Sequence, residues 1–398
     1  MEKEQNKEQK KGEVKSNNPE KEGGTGVWIA VIVIIIIAIA AVYLFRTGAI
    51  TSITGNTIFG GSKDVDVVKL GFMGPLTGEA ANYGNSIKRG VELAYEDSGL
   101  SDKVEVIYED SGCEGITTVN AINKLITADQ VIAIIGEVCS GATIPAAPIA
   151  EQSSVVLISA ASTSPEITNL GDYIFRTVPS DAFQGAFAAE TIYNRGYRKL
   201  AVLYSQEDYG VGLSKVISEE FKGLGGEVVA SETFERGSAD LRTQITKIKE
   251  IKPDALYFIS NSPDAAVAGL KQIKELGLQA TLFASEGLRS DDTLEAGPAA
   301  DGLTVTYLSP GTEEFIQKHQ TKYGEKPGPF AEQGYDAFTA LAKAIEQGAI
   351  TGEEIKNALY NIEFDGASGY VNFDSNGEVS GSYDVYIVKN KEFVLTNR

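Results

Sequence analysis

From Val67 onward the chain alternates between two apolar patterns. Short unbroken apolar runs, "VVKLGFMG" (67–74), "KVEVIYED" (103–110), "VIAIIG" (131–136) and "SVVLISA" (154–160), read as strands. Between them lie amphipathic stretches. "NSIKRGVELAYEDSG" sets Ile87, Val91 and Tyr95 four apart on one helical face, and "VNAINKLITAD" turns Val119, Ile122, Leu125 and Ile126 inward. This order predicts a parallel sheet covered by helices on both faces. The extended "YIFRTVPSD" (173–181) interrupts the rhythm, which then restarts. Helices over "AFQGAFAAETIYNRG", "GVGLSKVISEEFKGLG", "LRTQITKIKEIK" and "DAAVAGLKQIKELG" interleave with strands over "RKLAVLYS", "GEVVASETF", "DALYFISN" and "ATLFASEG". A second extended stretch, "DGLTVTYLSPG" (301–311), precedes two helices with no strand between them, "EEFIQKHQTKYG" and "AEQGYDAFTALAKAIEQG". These must dock on an existing sheet. The C-terminal segment reads as strands joined by turns at "SNG" and "VKNKE". The pattern therefore predicts an α/β protein of two doubly wound parallel-sheet lobes.

The first 66 residues break with this. Residues 1–26 are polar and lack periodic apolar positions, so they read as a disordered tail. Residues 27–45, "VWIAVIVIIIIAIAAVYLF", carry no charge and suffice to cross a bilayer as one transmembrane helix, with Trp28 and Tyr43 near its ends. Six lysines precede the run, and only Arg46 and then Lys63 follow it closely. This bias predicts a single-pass signal anchor in the cell membrane, N-terminus cytoplasmic and the rest on the outer face. A cleaved signal peptide is the competing reading, since "AIAA" resembles a cleavage site, but the apolar run exceeds the usual ~7–15 residues. Residues 46–66 read as a flexible Gly/Ser/Thr linker.

Composition narrows the function. The 398 residues are 42% hydrophobic and 23% charged, as in an ordinary globular protein of more than one domain. A net charge of −20 disfavours nucleic acid and anionic membrane surfaces as partners. One histidine, His319, and two cysteines, Cys113 and Cys139, form no cluster of zinc spacing. His319 lies in what reads as an exposed helix, so a Ser-His-Asp or Cys-His mechanism has no base, and an enzyme is not expected. "GVGLSK" (210–215) lacks the third glycine of a dinucleotide loop, and no cofactor is expected.

In open parallel sheets ligands bind outside the carboxyl ends of the strands. Those ends carry small hydroxyl-bearing loops: "GPLTGEAANYG" (74–84), "EVCSGAT" (137–143) and "AASTSPE" (160–166). Unpaired amides at a helix start favour an anion, to which Ser140 and Thr163 can add donors. As plain helix caps, Ser140, Thr143 and Thr163 need no ligand at all. In the second lobe Tyr209 and Glu286 stand at strand ends, and a desolvated Glu286 could meet an ammonium, although a lone loop glutamate is normally solvated. Cys113 and Cys139 follow different strands of the first lobe; a disulfide or two buried thiols both fit.

Taken together, "VKLGFMGPLTGEAANYGNSIKRGVELA", "YEDSGCEG", "IIGEVCSGATIPAAPIAEQ", "SAASTSPEIT", "YIFRTVPSD", "LYSQEDYGVGL" and "FASEG" resemble the leucine/isoleucine/valine-binding proteins of ABC importers, over nearly all of Val67–Val394. The resemblance implies a type I periplasmic-binding-protein clamshell: lobe 1 of residues 67–178 plus 309–366, lobe 2 of residues 179–308 plus 367–398, and three crossovers as hinge. It implies an amino acid of branched-chain type or similar, with its carboxylate at Ser140, Ala161 and Thr163, its ammonium at Glu286, and walls at Tyr83, Tyr209 and Phe330. It also implies a Cys113–Cys139 disulfide and delivery to an ABC transporter permease. Asn261 stands where leucine binders carry an aromatic residue, which opens the site to a polar or larger side chain. A membrane-anchored sensor ectodomain, or a binder of a short amide, urea or peptide, is the alternative expectation.

Overall fold

The computed structural model describes residues 67–396. The expected tail and apolar run over residues 1–45, and the linker to residue 66, lie outside them. Among the described residues no helix is long and apolar enough to cross a membrane.

The first sheet has the order β2-β1-β3-β4-β5. It is built from β1 (Val68–Gly74), β2 (Val104–Asp110), β3 (Ala133–Ile135), β4 (Val156–Ser159) and β5 (Ile174–Arg176), all parallel. β5 is the segment expected only as an extended interruption. Three residues are too few to show a pattern, and pairing with β4 makes them a strand. Helices α1 (Ala81–Ser98), α2 (Gly115–Thr127) and α3 (Ser140–Gln152) join the first four strands. Alternate strand residues serve opposite faces, as the two-residue period requires. Phe72, Ile135 and Ile158 pack with Ile87 and Val91 of α1, whereas Ile134 and Leu157 pack with Ile122 of α2 and Ala146 of α3.

The second sheet repeats this order and extends it: β7-β6-β8-β9-β10, then β13 and β14. β6 (Lys199–Ser205), β7 (Glu227–Phe234), β8 (Ala255–Ile259), β9 (Thr281–Ala284) and β10 (Thr304–Leu308) are parallel. β13 (Tyr383–Lys389) and β14 (Glu392–Leu395) add an antiparallel edge. Helices α4 (Asp181–Asn194) and α5 (Asp208–Gly223) cover one face, and α6 (Arg242–Ile251) and α7 (Pro263–Leu276) the other. A four-residue helix, α8 (Asp291–Leu294), follows β9.

The chain then returns to the first sheet through α9 (Glu313–Tyr323), α10 (Ala331–Glu346) and α11 (Gly352–Leu359). α10 supplies Phe338 and Leu341 to the core that holds α1. The expected lobe boundary at residue 366 falls inside a hairpin of β11 (Glu363–Asp365) and β12 (Tyr370–Asn372). Its Phe364 and Val371 belong to that same core, so the pairing carries the first lobe past residue 366. The chain thus passes between the sheets three times: after Arg176, after Leu308, and between Asn372 and Tyr383.

His319 corrects a sequence expectation. Its helix α9 is polar, but His319 itself is 1% exposed, with Nδ1 against the Glu325 carbonyl oxygen at 3.0 Å and its ring between Phe315 and Tyr323. Burial pushes its pKa below the usual value. Tertiary docking, which a single helix cannot report, decides its environment.

Candidate functional site

The carboxyl ends of both sheets face one cleft, whose atom-free space, part of it open to solvent, is about 410 Å³. Its wall is Ala80, Tyr83, Val138, Cys139, Ser140, Ala161, Thr163, Tyr209, Asn261, Glu286, Gly287 and Phe330. All eight residues singled out from the sequence as contacts are in this set, and no lysine or arginine is. The two sheets contribute opposite sides: loops after β1, β3 and β4 from the first, and loops after β6, β8 and β9 from the second.

The first sheet's side is built for an anion. Cys139 has extended backbone and begins α3, so the amides of Ser140 and Gly141 fall in a first turn that has no acceptor within the helix. The Ser140 hydroxyl accepts from the Ser164 amide at 3.2 Å, which leaves its own proton to donate. The neighbouring loop is stiffened by Ser159, whose hydroxyl accepts from the amides of Ala161 and Ser162 at 3.3 and 2.9 Å. Arg176 grips it from behind, donating to the carbonyls of Ser162 and Ser164 at 3.3 and 3.0 Å. Arg176 is itself 1% exposed and paired with Glu378 on the third crossover. Cys113 and Cys139 are joined as a disulfide with their Cα atoms 5.5 Å apart, which ties the loop after β2 to the start of α3. Beneath them Glu137 accepts from the Ser111 hydroxyl and the Cys139 amide, and burial raises its pKa to about 7. The disulfide leaves neither sulfur a thiolate for a metal.

The second sheet's side is acidic. Glu286 is 6% exposed and accepts from Gln184 Nε2. Burial raises its pKa to about 7, against the hydrogen bonds of Tyr209 and Gln184 that hold it down; Glu207 pushes it further up. No basic side chain is among these influences. Asp181, at the start of α4, lies fully buried nearby. Neither of its oxygens has a well-formed hydrogen bond, although the Thr163 hydroxyl is close, and burial together with Glu286 lifts its pKa well above the usual range. Two buried carboxyl groups thus share a region in which Arg176 pulls down only the pKa of Asp181 and no basic side chain is among the influences on Glu286. Sequence reading missed Asp181 and Gln184, because an acid in the first turn of a helix reads as an ordinary partner of the helix dipole.

Aromatic rings close the remaining wall. Phe330 starts α10 with φ 61°, a left-handed conformation that costs a bulky residue energy. Its ring is held 6.2 Å from Tyr83 and 6.3 Å from Tyr307. Across the gap Tyr83 donates to the Gly287 carbonyl oxygen at 3.0 Å, while within the second half the Tyr209 and Ser285 hydroxyls lie 2.8 Å apart. Asn82 reaches Asp292, and Ser262 reaches Glu79. Gly141 sits where α3 meets α5, and an added Cβ would press only on the movable Asp208 carboxylate. The two halves are shut on each other.

The chain belongs to the periplasmic binding protein family, which it matches over residues 67–392. It is similar to the leucine-, isoleucine-, valine-, threonine- and alanine-binding protein of Pseudomonas aeruginosa, at 31% identity over 86% of this chain and 95% of that one. Among solved structures it is similar to a leucine binding protein from Thermotoga maritima (TM-score 0.78, 32% identity, 83% of this chain and 98% of that one). It is also similar to a branched-chain amino acid transporter substrate binding protein from Streptococcus pneumoniae in complex with isoleucine (TM-score 0.75, 25% identity, 83% of this chain and all of that one). A solute binding protein from Rhodopseudomonas palustris in complex with 3,4-dihydroxybenzoic acid has a TM-score of 0.75 at 25% identity, over 82% of this chain and 95% of that one. The fold is that of a type I periplasmic binding protein.

Proposed function

We propose that this chain is the substrate-binding protein of an ABC importer, capturing an amino acid of branched-chain type or similar between its two lobes. The observation that carries this reading is Glu286, a buried carboxylate with no cation of its own. It lines the same cavity as the free first turn of α3. A zwitterion matches both ends: its carboxylate takes the Ser140 and Thr163 hydroxyls and the amides around them and around Ala161, and its ammonium takes Glu286. Tyr83, Tyr209, Asn261 and Phe330 surround the rest. Binding favours the shut form because the two halves of the ligand's charge are held by different lobes, so only closure satisfies both. The reading includes no covalent step. Aromatic acids fit less well, because a benzoate brings no positive charge to Glu286.

The shut form is the one a transporter permease would read. The apolar run at 27–45 would hold the binding portion on the outer face of the cell membrane, with the N-terminus in the cytoplasm. Calorimetry against the twenty amino acids and a hydroxybenzoate tests the ligand class. Binding of at least one amino acid, weakened when its ammonium is absent, is expected; binding of the benzoate alone would overturn the reading. Membrane fractionation of the full chain tests the anchor, which recovery wholly in the soluble fraction would exclude.

A further inference from the structure

Asn261 lines the cavity just beyond β8, next to Gly287, where an added Cβ would come 3.3 Å from the Asn261 Cα. Its Nδ2 donates to Glu207 Oε2 at 3.3 Å. That bond fixes the orientation of the amide, because the reversed amide would set two oxygens against each other. Glu207 is itself anchored: its Oε1 accepts from the Ser205 hydroxyl at 3.0 Å and the Gly210 amide at 3.2 Å. The amide oxygen of Asn261 is therefore committed to a direction away from Glu207, and there it is buried with no partner. A buried acceptor left empty is costly, and native structures normally supply a donor. Among the described residues no protein donor serves it. Ala80, Val138 and Phe330 of the wall have no side-chain donor, the Tyr83 hydroxyl proton is already committed to Gly287, and none of the wall hydroxyls of Ser140, Thr163 and Tyr209 bonds to the Asn261 oxygen.

Resting on the amino-acid reading above, we propose that the ligand's side chain carries a hydrogen-bond donor that Asn261 Oδ1 accepts, so that Asn261 selects polar amino acids over their aliphatic matches. The glutamate behind the amide strengthens the preference, since a hydrogen bond from Nδ2 to a carboxylate polarises the amide and makes Oδ1 a better acceptor. A methyl group in the same place would leave Oδ1 unpaired and shut off from water.

Calorimetry with three matched pairs tests this: threonine against valine, serine against alanine, and glutamine against methionine. The tightest ligand of the six is expected to be a polar one, about tenfold tighter than its aliphatic match. Asn261→Leu is expected to erase or invert that ratio while still binding the aliphatic member, with circular dichroism confirming the fold. An aliphatic amino acid as the tightest ligand, or a polar preference that survives Asn261→Leu, would overturn the proposal and leave the amino-acid reading standing. Binding of none of the twenty amino acids would bring down both. The wild-type comparison stands by itself should the variant not fold.

Discussion

Glu286→Gln isolates the charge in the cavity while keeping its shape. The amide oxygen can still accept from Gln184, so the local packing survives. What is lost is the negative end of an ion pair with the ligand ammonium. Removing one partner of a buried, hydrogen-bonded charge pair costs about 2–5 kcal/mol. A loss of about 3 kcal/mol raises Kd by a factor of roughly 150. The assay is titration calorimetry at pH 8 with the tightest-binding amino acid, since Glu286 of the wild type is mostly ionised above its pKa of about 7. The matching α-hydroxy acid, which lacks the ammonium, serves as control. Wild type should discriminate strongly between the two ligands, and Glu286→Gln should discriminate far less. The empty protein responds in the opposite direction. A carboxyl group whose pKa is raised on folding costs stability progressively as pH climbs from its ordinary value of 4.5 to the folded value of about 7, and the cost is complete at pH 8, so the glutamine variant should melt higher there than wild type. A Kd within twofold of wild type would refute the reasoning, for it would mean that no ammonium is held by this carboxylate.

Further outcomes follow from the same geometry. Wild-type affinity should fall by up to tenfold per pH unit below about 7, as the ligand must displace a proton from Glu286, and the Gln variant should lose most of this dependence; calorimetry in buffers of different ionisation heat reads the proton directly. Ser140→Ala removes a donor at the α3 start and should weaken binding by about 1.5–3 kcal/mol, while the buried Ser164 amide left without its acceptor costs a further ~1–3 kcal/mol of stability, read by denaturant unfolding. Replacing both cysteines by serine opens a loop with 26 residues of sequence separation and should cost about 3.5 kcal/mol in denaturant unfolding. Arg176→Met strands buried Glu378 and frees the loop around Thr163, so about 3–5 kcal/mol of stability should go, together with affinity.

Much of the fold is legible because the buried strands leave simple signatures. β3, β4 and β8 are continuous apolar runs, and the helices between them carry clear stripes. What escaped depends on partners far along the chain. β5 and β11 are three residues each, and pairing alone makes them strands. α11 is short and charged, held by a capping box at Thr351 and Glu354. His319 is buried by docking against Arg89's helix and the 325 turn, which nothing in its own helix announces. In the site, the hydroxyl loops at strand ends were readable from spacing, whereas Glu286 by itself was not. A glutamate in a loop is ordinarily solvated, and only its place in a familiar series of motifs singled it out. Asp181, Gln184 and Glu137 stayed hidden because burial of a carboxyl group is a property of the assembled cleft.

The most direct test is a crystal structure of the protein with its bound amino acid. The ligand carboxylate should lie on the first turn of α3 within hydrogen-bond reach of Ser140 and Thr163, with the ammonium in contact with Glu286. A ligand bound the other way round, or seated where Glu286 does not touch it, would contradict the claim that the two lobes divide a zwitterion between them.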